Sequence, residues 1–321
     1  MPAFALHHIT LQTRSALPAD PGALLLAGFP PAEGWRRPAL TITLEASAGP
    51  LPVLPGPPLF THGSVSVHLD GGLPVVAGPA SRFRVSARGD RIDGWLEPTA
   101  AARPREVAEG ELMVALTLAL RSHGLVHLHA AATVAPGGQV LLIAGTGGSG
   151  KSTLTAALVA AGHAYLGDDV VLVAPGGVLF AFPRPFHLSP VSARAVGVEA
   201  GPPRKATGKG DFDASGAFPG RFRWFARAPD LILLPRIAGR PATALEPATR
   251  AGALGSLLSL SAFAASALPG AVEQRARLAA VTDGALPVSV ALGHDLLEDA
   301  VGTAARLDAA LVAASLPRPE S

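Results

Sequence analysis

The sequence predicts an α/β protein in which a small, mostly antiparallel β-domain precedes a larger domain built around a glycine-rich loop. Three observations support this fold class. Residues 1–103 contain short segments in which apolar and polar side chains alternate, as in half-buried strands. A glycine-rich loop joins an apolar run to a helical run at residues 139–161. Apolar and helical segments then continue towards the C-terminus. We place the boundary at the proline-containing stretch 98–104, which gives domains 1–103 and 104–321.

Composition limits the classes of protein to consider. Apolar residues make up 49% of the 321 residues and charged residues 16%, with a net charge of +2. This supplies ample core material and argues against disorder. Because no run of lysine and arginine stands out, nucleic acid is not an expected partner. The chain has no cysteine, which excludes disulfides and thiolate metal sites. With no signal-peptide pattern at the N-terminus, a cytoplasmic protein is predicted.

Residues 251–272 carry no charged side chain, and this length would suffice to cross a bilayer. However, the segment includes serines, glycines and Pro269, and few of its side chains are large and aliphatic. We therefore predict one or two buried helices here, and no membrane partner.

Residues 4–13, 41–44 and 64–69 predict strands of the N-terminal domain. The turn signals lie at 70–72 and 88–90, and the proline-rich stretch 49–58 predicts a loop.

The second domain begins with a predicted helix over 105–122 that Gly124 ends. A hairpin over 128–144 turns at Pro-Gly-Gly 136–138, and Gly162 ends the helix after the glycine-rich loop. The pattern also predicts strands at 169–173, 178–182, 231–234 and 288–292, and a polar loop over 200–220.

The glycine-rich loop matches the pattern G-x-x-x-x-G-K-[ST] in the strand–loop–helix context that phosphate binding requires. Its glycines allow backbone amides to turn towards an anion, and the helix N-terminus adds partial positive charge. Lys151 is expected to reach the outer phosphates, and the Ser152 hydroxyl to hold Mg²⁺. The predicted nucleotide-binding residues are Gly145, Thr146, Gly147, Gly148, Ser149, Gly150, Lys151, Ser152 and Thr153.

His129 is a candidate site residue because of the predicted hairpin register. If the turn 136–138 pairs Ala135 with Gln139, counting back places His129 opposite Gly145, the first residue of the loop. His123 and His127 have no such support.

Asp168 and Asp169 follow the helix that starts at the loop. Beside a magnesium-bound triphosphate, one carboxylate can support the metal while the other accepts a proton from an incoming hydroxyl.

The chain has three lysines among its 26 basic residues, and two of them, Lys205 and Lys209, fall in the predicted loop 200–220. Because an ammonium group is a compact charge suited to phosphate, we hypothesise that this loop closes over the transferred phosphoryl group or an acidic substrate. A solvated surface loop is the alternative. Asp211 and Asp213 are weaker candidates for metal ligands.

Together, residues 129–132, 145–152 and 162–169 resemble the HPr kinase/phosphorylase family, and in particular its shorter, divergent relatives. The resemblance is concentrated in residues 125–175. It implies the P-loop kinase core shared with phosphoenolpyruvate carboxykinases, and phosphorylation of a hydroxyl by ATP and Mg²⁺. By position, Asp169 would be the base, His129 the active-site histidine, Lys151 the phosphate lysine, and Ser152 with Asp168 the metal-binding pair.

The chain departs from this family in two places. Thr153 stands where the family has an acidic residue, and the family's later glutamate-arginine-glycine motif has no clear counterpart. The resemblance therefore does not extend to the reverse, phosphorylase reaction or to HPr as the substrate.

The sequence thus predicts a kinase that transfers the γ-phosphoryl group of ATP to a hydroxyl, foremost a serine of a protein or peptide. A kinase of a small hydroxylated molecule, a non-catalytic nucleotide-binding regulator and a carboxykinase-like enzyme are the alternatives. Homo-oligomerisation is left open.

Overall fold

The computed structural model describes residues 2–32, 38–204, 208–268 and 270–315. They form a mixed α/β protein with two compact units. The first unit comprises Met1–Val126 and Phe263–Gln274, and the second comprises His127–Ala262 and Arg275–Ser321. The helix expected to open the second domain is thus grouped with the N-terminal sheet, whereas the boundary taken from the sequence lies at residue 103.

The first unit is built on an eight-stranded sheet in the order β1-β2-β3-β8-β7-β6-β5-β4. Five of its seven neighbouring pairs are antiparallel, and only β2-β3 and β3-β8 are parallel. Its strands are β1 (Ala3–Leu6), β2 (Ile9–Ser15), β3 (Leu40–Ala46), β4 (Phe60–His62), β5 (Val65–Asp70), β6 (Leu73–Ala77), β7 (Ser81–Val85) and β8 (Arg91–Leu96).

The single strand predicted at residues 4–13 is two strands. His7 adopts a φ of 57° between them, so the chain reverses and β1 pairs with β2. The turn contains none of the glycine, proline, asparagine or aspartate residues that usually indicate a turn, which explains why the sequence did not predict it.

The described part of the first unit also contains the helices α1 (Pro21–Leu26), α2 (Pro98–Ala101), α3 (Pro104–Val107) and α4 (Met113–Ser122), with a π-helical turn (Ala108–Leu112) between α3 and α4. The predicted helix over 105–122 is confirmed as a continuous helical stretch with this π turn inside it. Gly124, at φ 76°, follows its end as expected for a glycine C-cap.

The second unit carries three sheets with the strand orders β12-β10-β11-β18-β20-β19, β17-β14-β13-β9 and β15-β16. Strands β11, β18 and β20 run parallel in the middle of the six-stranded sheet. The strands are β9 (Val126–Leu128), β10 (Ala130–Val134), β11 (Val140–Ala144), β12 (Ala164–Gly167), β13 (Val171–Val173), β14 (Leu179–Ala181), β15 (Phe186–Leu188), β16 (Gly210–Phe212), β17 (Phe225–Ala226), β18 (Leu231–Ile237), β19 (Ala244–Pro247) and β20 (Leu286–Leu292).

Helices of the second unit pack on these sheets. One of them, α9, starts within the segment Phe263–Gln274 of the first unit. Their bounds are α5 (Lys151–Ala160), α6 (Pro190–Ala195), α7 (Ala214–Ala217), α8 (Arg250–Ser259), α9 (Ala271–Gly284), α10 (Asp295–Glu298) and α11 (Ala300–Ser315). The core lies between β11, β18, β20 and α5, where Leu141, Leu158, Leu233 and Val290 are buried. This packing fixes the start of α5 at the end of β11.

The predicted loop over 200–220 is wrong in part, because it contains β16 and α7. Phe212 on β16 packs edge-on against Phe186 on β15, with ring centroids 6.2 Å apart. Burial of these two rings stabilises the β15–β16 pair. The polar composition of residues 200–220 gave no indication of this contact.

The uncharged segment 251–272 contributes α8 and the start of α9. Across the described ranges, we find no helix whose length and apolar character would allow it to span a bilayer.

Candidate functional site

The glycine-rich loop connects the end of β11 to Lys151, the first residue of α5. Gly148 and Gly150 have φ angles of 82° and 91°, in the left-handed region that favours glycine. A Cβ added at Gly147 or Gly148 would meet no atom within 4 Å beyond its chain neighbours. The loop therefore faces open space beside a helix N-terminus, an arrangement suited to an anion.

Lys151 points its ammonium group towards the aspartate pair. Its side chain is only 6% exposed, and Nζ donates to the carbonyl oxygen of Asp168 at 2.8 Å. The Oδ1 atom of Asp169 lies 3.7 Å from the same Nζ. Burial lowers the pKa of Lys151, and the charges of Asp169 and Asp168 oppose that shift. The ammonium group is thus held beside the two aspartates.

His129 and Asp169 form a close pair, with Nδ1 of the imidazole 3.1 Å from Oδ1 of the carboxylate. The predicted register is confirmed over β10, since Ala130 pairs with Ala144 and Val134 with Val140, and His129 directly precedes the first of these pairs. The amide of His129 donates to the carbonyl of Leu260 at 2.9 Å, which anchors the backbone just before β10 begins. The hairpin therefore brings the ring to the loop.

The protonation states follow from burial and from neighbouring charges. Burial, followed by the charge of Lys151, lowers the pKa of His129, although Asp169 opposes this. Burial alone would raise the pKa of Asp169, but the charges of His129, Lys151 and Arg184 more than offset it and lower the pKa. At neutral pH the imidazole is uncharged, so Lys151 is the cation in contact that keeps the carboxylate ionised.

Asp168 turns away from this pair. Its side chain is 2% exposed, and Oδ2 accepts from the amide of His187 at 3.2 Å. Burial and then the charge of Asp169 raise its pKa. Asp168 was expected to support the metal, but its carboxylate is buried behind the site. Asp169 reaches the cleft instead.

A cleft of about 750 Å³ opens over the loop. The glycine-rich loop contributes Thr146, Gly147, Gly148, Gly150, Lys151, Ser152 and Thr153 to its lining. His129, Asp169 and Lys209 line it as well, so one cavity gathers most of the predicted site residues. Gly145 and Ser149 instead face each other within the loop, since a Cβ on Gly145 would lie 2.3 Å from Oγ of Ser149.

The cleft also contains a histidine that the sequence analysis did not select. His187 lies directly opposite Asp211 in the β15–β16 pair, and its Nδ1 is 3.1 Å from Oδ1 of Asp211. Arg204 donates to Oδ2 of the same carboxylate at 2.9 Å. Burial would raise the pKa of Asp211, but its hydrogen bond and ion pair with Arg204 lower it. The alternation of Phe186, His187 and Leu188 was the one signal that could have predicted this strand.

The remaining candidates have different positions. Lys209 lines the cleft, while Lys205 lies outside the described residues. Asp211 is engaged by His187 and Arg204, and Asp213 caps α7 by accepting from the amide of Ser215 at 3.0 Å. The weaker expectation of metal ligands at these two aspartates gains no support from these contacts.

No family model and no curated protein matches this chain. Among solved structures, it is similar to the Hpr(Ser) kinase/phosphatase from Coxiella burnetii, with 16% sequence identity and a TM-score of 0.26. The match covers 57% of this chain and 98% of that protein. At this TM-score the similarity does not establish a shared fold, so the chemistry of the site rests on its own side chains.

Proposed function

We propose that this protein is an ATP- and Mg²⁺-dependent kinase that transfers the γ-phosphoryl group to a hydroxyl, foremost a serine of a protein or peptide. The observation that carries the proposal is the cluster of Lys151, Asp169 and His129 at the mouth of the glycine-rich loop. Binding a triphosphate alone requires the loop and the lysine, whereas a carboxylate paired with an imidazole adds a group that can accept a proton.

In the proposed reaction, the loop amides and Lys151 hold the outer phosphates, and Asp169 accepts the proton of the attacking hydroxyl. Its lowered pKa keeps the carboxylate ionised at neutral pH. A weak base suffices because the transition state of phosphoryl transfer is loose, so catalysis depends mainly on positioning and charge neutralisation. The Nδ1 atom of His129, 3.1 Å from Asp169, fixes the direction of the carboxylate.

Magnesium fits the side chains of this site, because hydroxyl and carboxylate oxygens are the protein ligands that Mg²⁺ prefers. Ser152 and Asp169 both line the cleft, whereas Asp168 is buried behind it. When bound, the ion would neutralise charge on the β- and γ-phosphates.

A non-catalytic nucleotide-binding regulator is the second candidate. One contact favours it: Thr153, where the family it resembles carries an acidic residue, shares a hydrogen bond of 2.8 Å with the hydroxyl of Ser192. A neutral hydroxyl cannot take the part of that acidic residue. The His129–Asp169 pair argues for catalysis, since a binding protein needs neither residue.

Incubation of the purified protein with γ-labelled ATP, Mg²⁺ and cell extract tests the proposal. Label transferred to a protein or peptide supports it, and label on a small molecule identifies the other kinase class. Nucleotide binding with no transfer to any fraction would assign the chain to the regulators.

A further inference from the structure

We infer that the nucleobase of the bound triphosphate packs against an apolar wall at the end of the cleft away from Asp169. The wall consists of Val191, Ile237, Leu292, Leu296 and Leu297. The inference rests on the proposed function, because it assumes that the glycine-rich loop binds a nucleotide.

Four elements build this wall. Val191 lies on α6, Leu296 and Leu297 on α10, Ile237 ends β18 and Leu292 ends β20. Val191, Ile237 and Leu297 are 47%, 68% and 45% exposed, although each lines the same cleft. Large apolar side chains left exposed together in a cavity are typical of a ligand-binding surface.

The position of the wall relative to the loop gives the direction of the ligand. A Cβ on Gly150 would lie 2.3 Å from Leu292 and 3.9 Å from Ile237, so the wall adjoins the loop at Gly150. His129 and Asp169 approach the loop from the β10–β12 side of the sheet instead. In-line transfer places the acceptor and the leaving nucleotide on opposite sides of the phosphorus. With the acceptor at Asp169, the nucleoside extends towards the wall.

Hydroxyl groups lie between the loop and Val191. Thr153 and Ser189 each lie 2.8 Å from the hydroxyl of Ser192, and all three residues line the cleft. This polar row suits the α-phosphate and ribose, which must pass between the phosphate loop and an apolar base site.

The five side chains of the wall are aliphatic, so none of them can form a hydrogen bond with the edge of a base. Among the described residues that line the cleft, Asp169 is the only carboxylate and none carries a carboxamide. The chain contains no asparagine at all. The exposed His294 lines the cleft together with Leu297. Recognition by apolar contact and stacking therefore accommodates adenine and guanine with similar affinity.

Titration calorimetry of the full chain with Mg²⁺ and ATP, GTP or inorganic tripolyphosphate tests this inference. Unmodified protein should bind ATP and GTP within a few-fold of each other, and both more tightly than tripolyphosphate. Leu297→Ser and Ile237→Ser should each weaken ATP binding about tenfold, the loss expected for one apolar side-chain contact. Their affinity for tripolyphosphate should not change.

Val301→Ser is the matched control, because Val301 is also 45% exposed and does not line the cleft. It should leave both affinities unchanged. The inference is overturned if the two wall variants bind ATP with normal affinity, or if their affinity for tripolyphosphate falls as much as their affinity for ATP. It is also overturned if the unmodified protein binds neither ATP nor GTP more tightly than tripolyphosphate. Transfer assays separate the two proposals: base-dependent binding without transfer rejects only the kinase, and transfer with wall-independent binding rejects only the wall.

Discussion

Asp169 is the residue on which the proposed chemistry depends. Its carboxylate lies 3.1 Å from the imidazole of His129 and 3.7 Å from the ammonium of Lys151. Neither neighbour alone indicates catalysis, since buried ion pairs also occur for structural reasons. Their convergence at the start of α5, beside an open loop, is what joins a proton acceptor to an anion-binding site.

Asp169→Asn should abolish most phosphoryl transfer while leaving nucleotide binding within a few-fold of the unmodified protein. The amide keeps the shape of the side chain but cannot accept the proton, a loss of about 10²–10⁴ in rate. The measurement is the initial rate of label transfer from γ-labelled ATP, alongside the affinity for ATP.

Asp213→Asn is a suitable control, because asparagine can also cap α7 and Asp213 does not line the cleft. It should transfer label at the normal rate. Undiminished transfer in the Asp169 variant would reject the role assigned to that residue.

The pH dependence of transfer should reveal His129. Burial lowers its pKa below the ordinary value of 6.5, so the ring is neutral at pH 7 and becomes charged only at lower pH. A protonated ring would bind the carboxylate as an ion pair and weaken it as a proton acceptor. Transfer should therefore decline below pH 6.5.

In His129→Gln the transfer rate should be lower at every pH. The rate should also fall less between pH 6.5 and 5, because glutamine does not take up a proton in this range. Profiles of the two proteins from pH 5 to 8, at saturating ATP, make the comparison. Profiles of identical shape would show that His129 does not titrate in the reaction.

At the scale of elements, the β10–β11 hairpin and the start of α5 form the site together. The hairpin turns at 136–138, where Gly138 has a φ of 89°, and its last pair, Ala130 with Ala144, leaves His129 next to the start of the glycine-rich loop. Because this register depends on a short turn, it was correctly predicted from the sequence. The loop that follows depends on glycine at defined positions.

Gly150→Ala should lower the thermal unfolding temperature, while Gly147→Ala should not. At Gly150 a Cβ would require a left-handed φ of 91° and would lie 2.3 Å from Leu292, which costs about 1–3 kcal/mol. At Gly147 a Cβ would face open space. Melting curves of the two variants without ligand would contradict this account if they shift equally.

The stability of the whole molecule should depend on His127. Burial, followed by the charge of His129, lowers its pKa from 6.5 to about 4. The unfolded chain therefore takes up a proton at higher pH than the folded protein does. The stabilisation is complete above pH 6.5 and is lost as pH falls to about 4, by up to roughly 3 kcal/mol.

His127→Leu should flatten the decline of unfolding free energy between pH 6.5 and 4. Leucine is tolerable because Nδ1 of His127 is buried and makes no hydrogen bond with the described residues. Urea unfolding at intervals of pH measures the difference between the two proteins, which removes the contribution of other titrating groups such as His163. Parallel curves would contradict the assignment.

Local chemistry determined much of this protein in advance. The phosphate-loop pattern, the hairpin register and the glycines that end α4 and α5 follow from neighbouring residues, so the sequence alone predicted them. Strand patterns also located β18 and β20, although the turn between β1 and β2, which has no glycine or proline, was not predicted.

Tertiary structure decided which polar groups meet in the cleft. His187 and Asp211 become neighbours only when β15 pairs with β16, and that pairing depends on the contact between Phe186 and Phe212. Asp168 and Asp169 are identical in chemistry and adjacent in sequence, yet one is buried and the other faces the loop. Side-chain direction and long-range strand pairing depend on packing across the core. A local sequence pattern cannot predict them, because the residues that pack together are far apart in the chain.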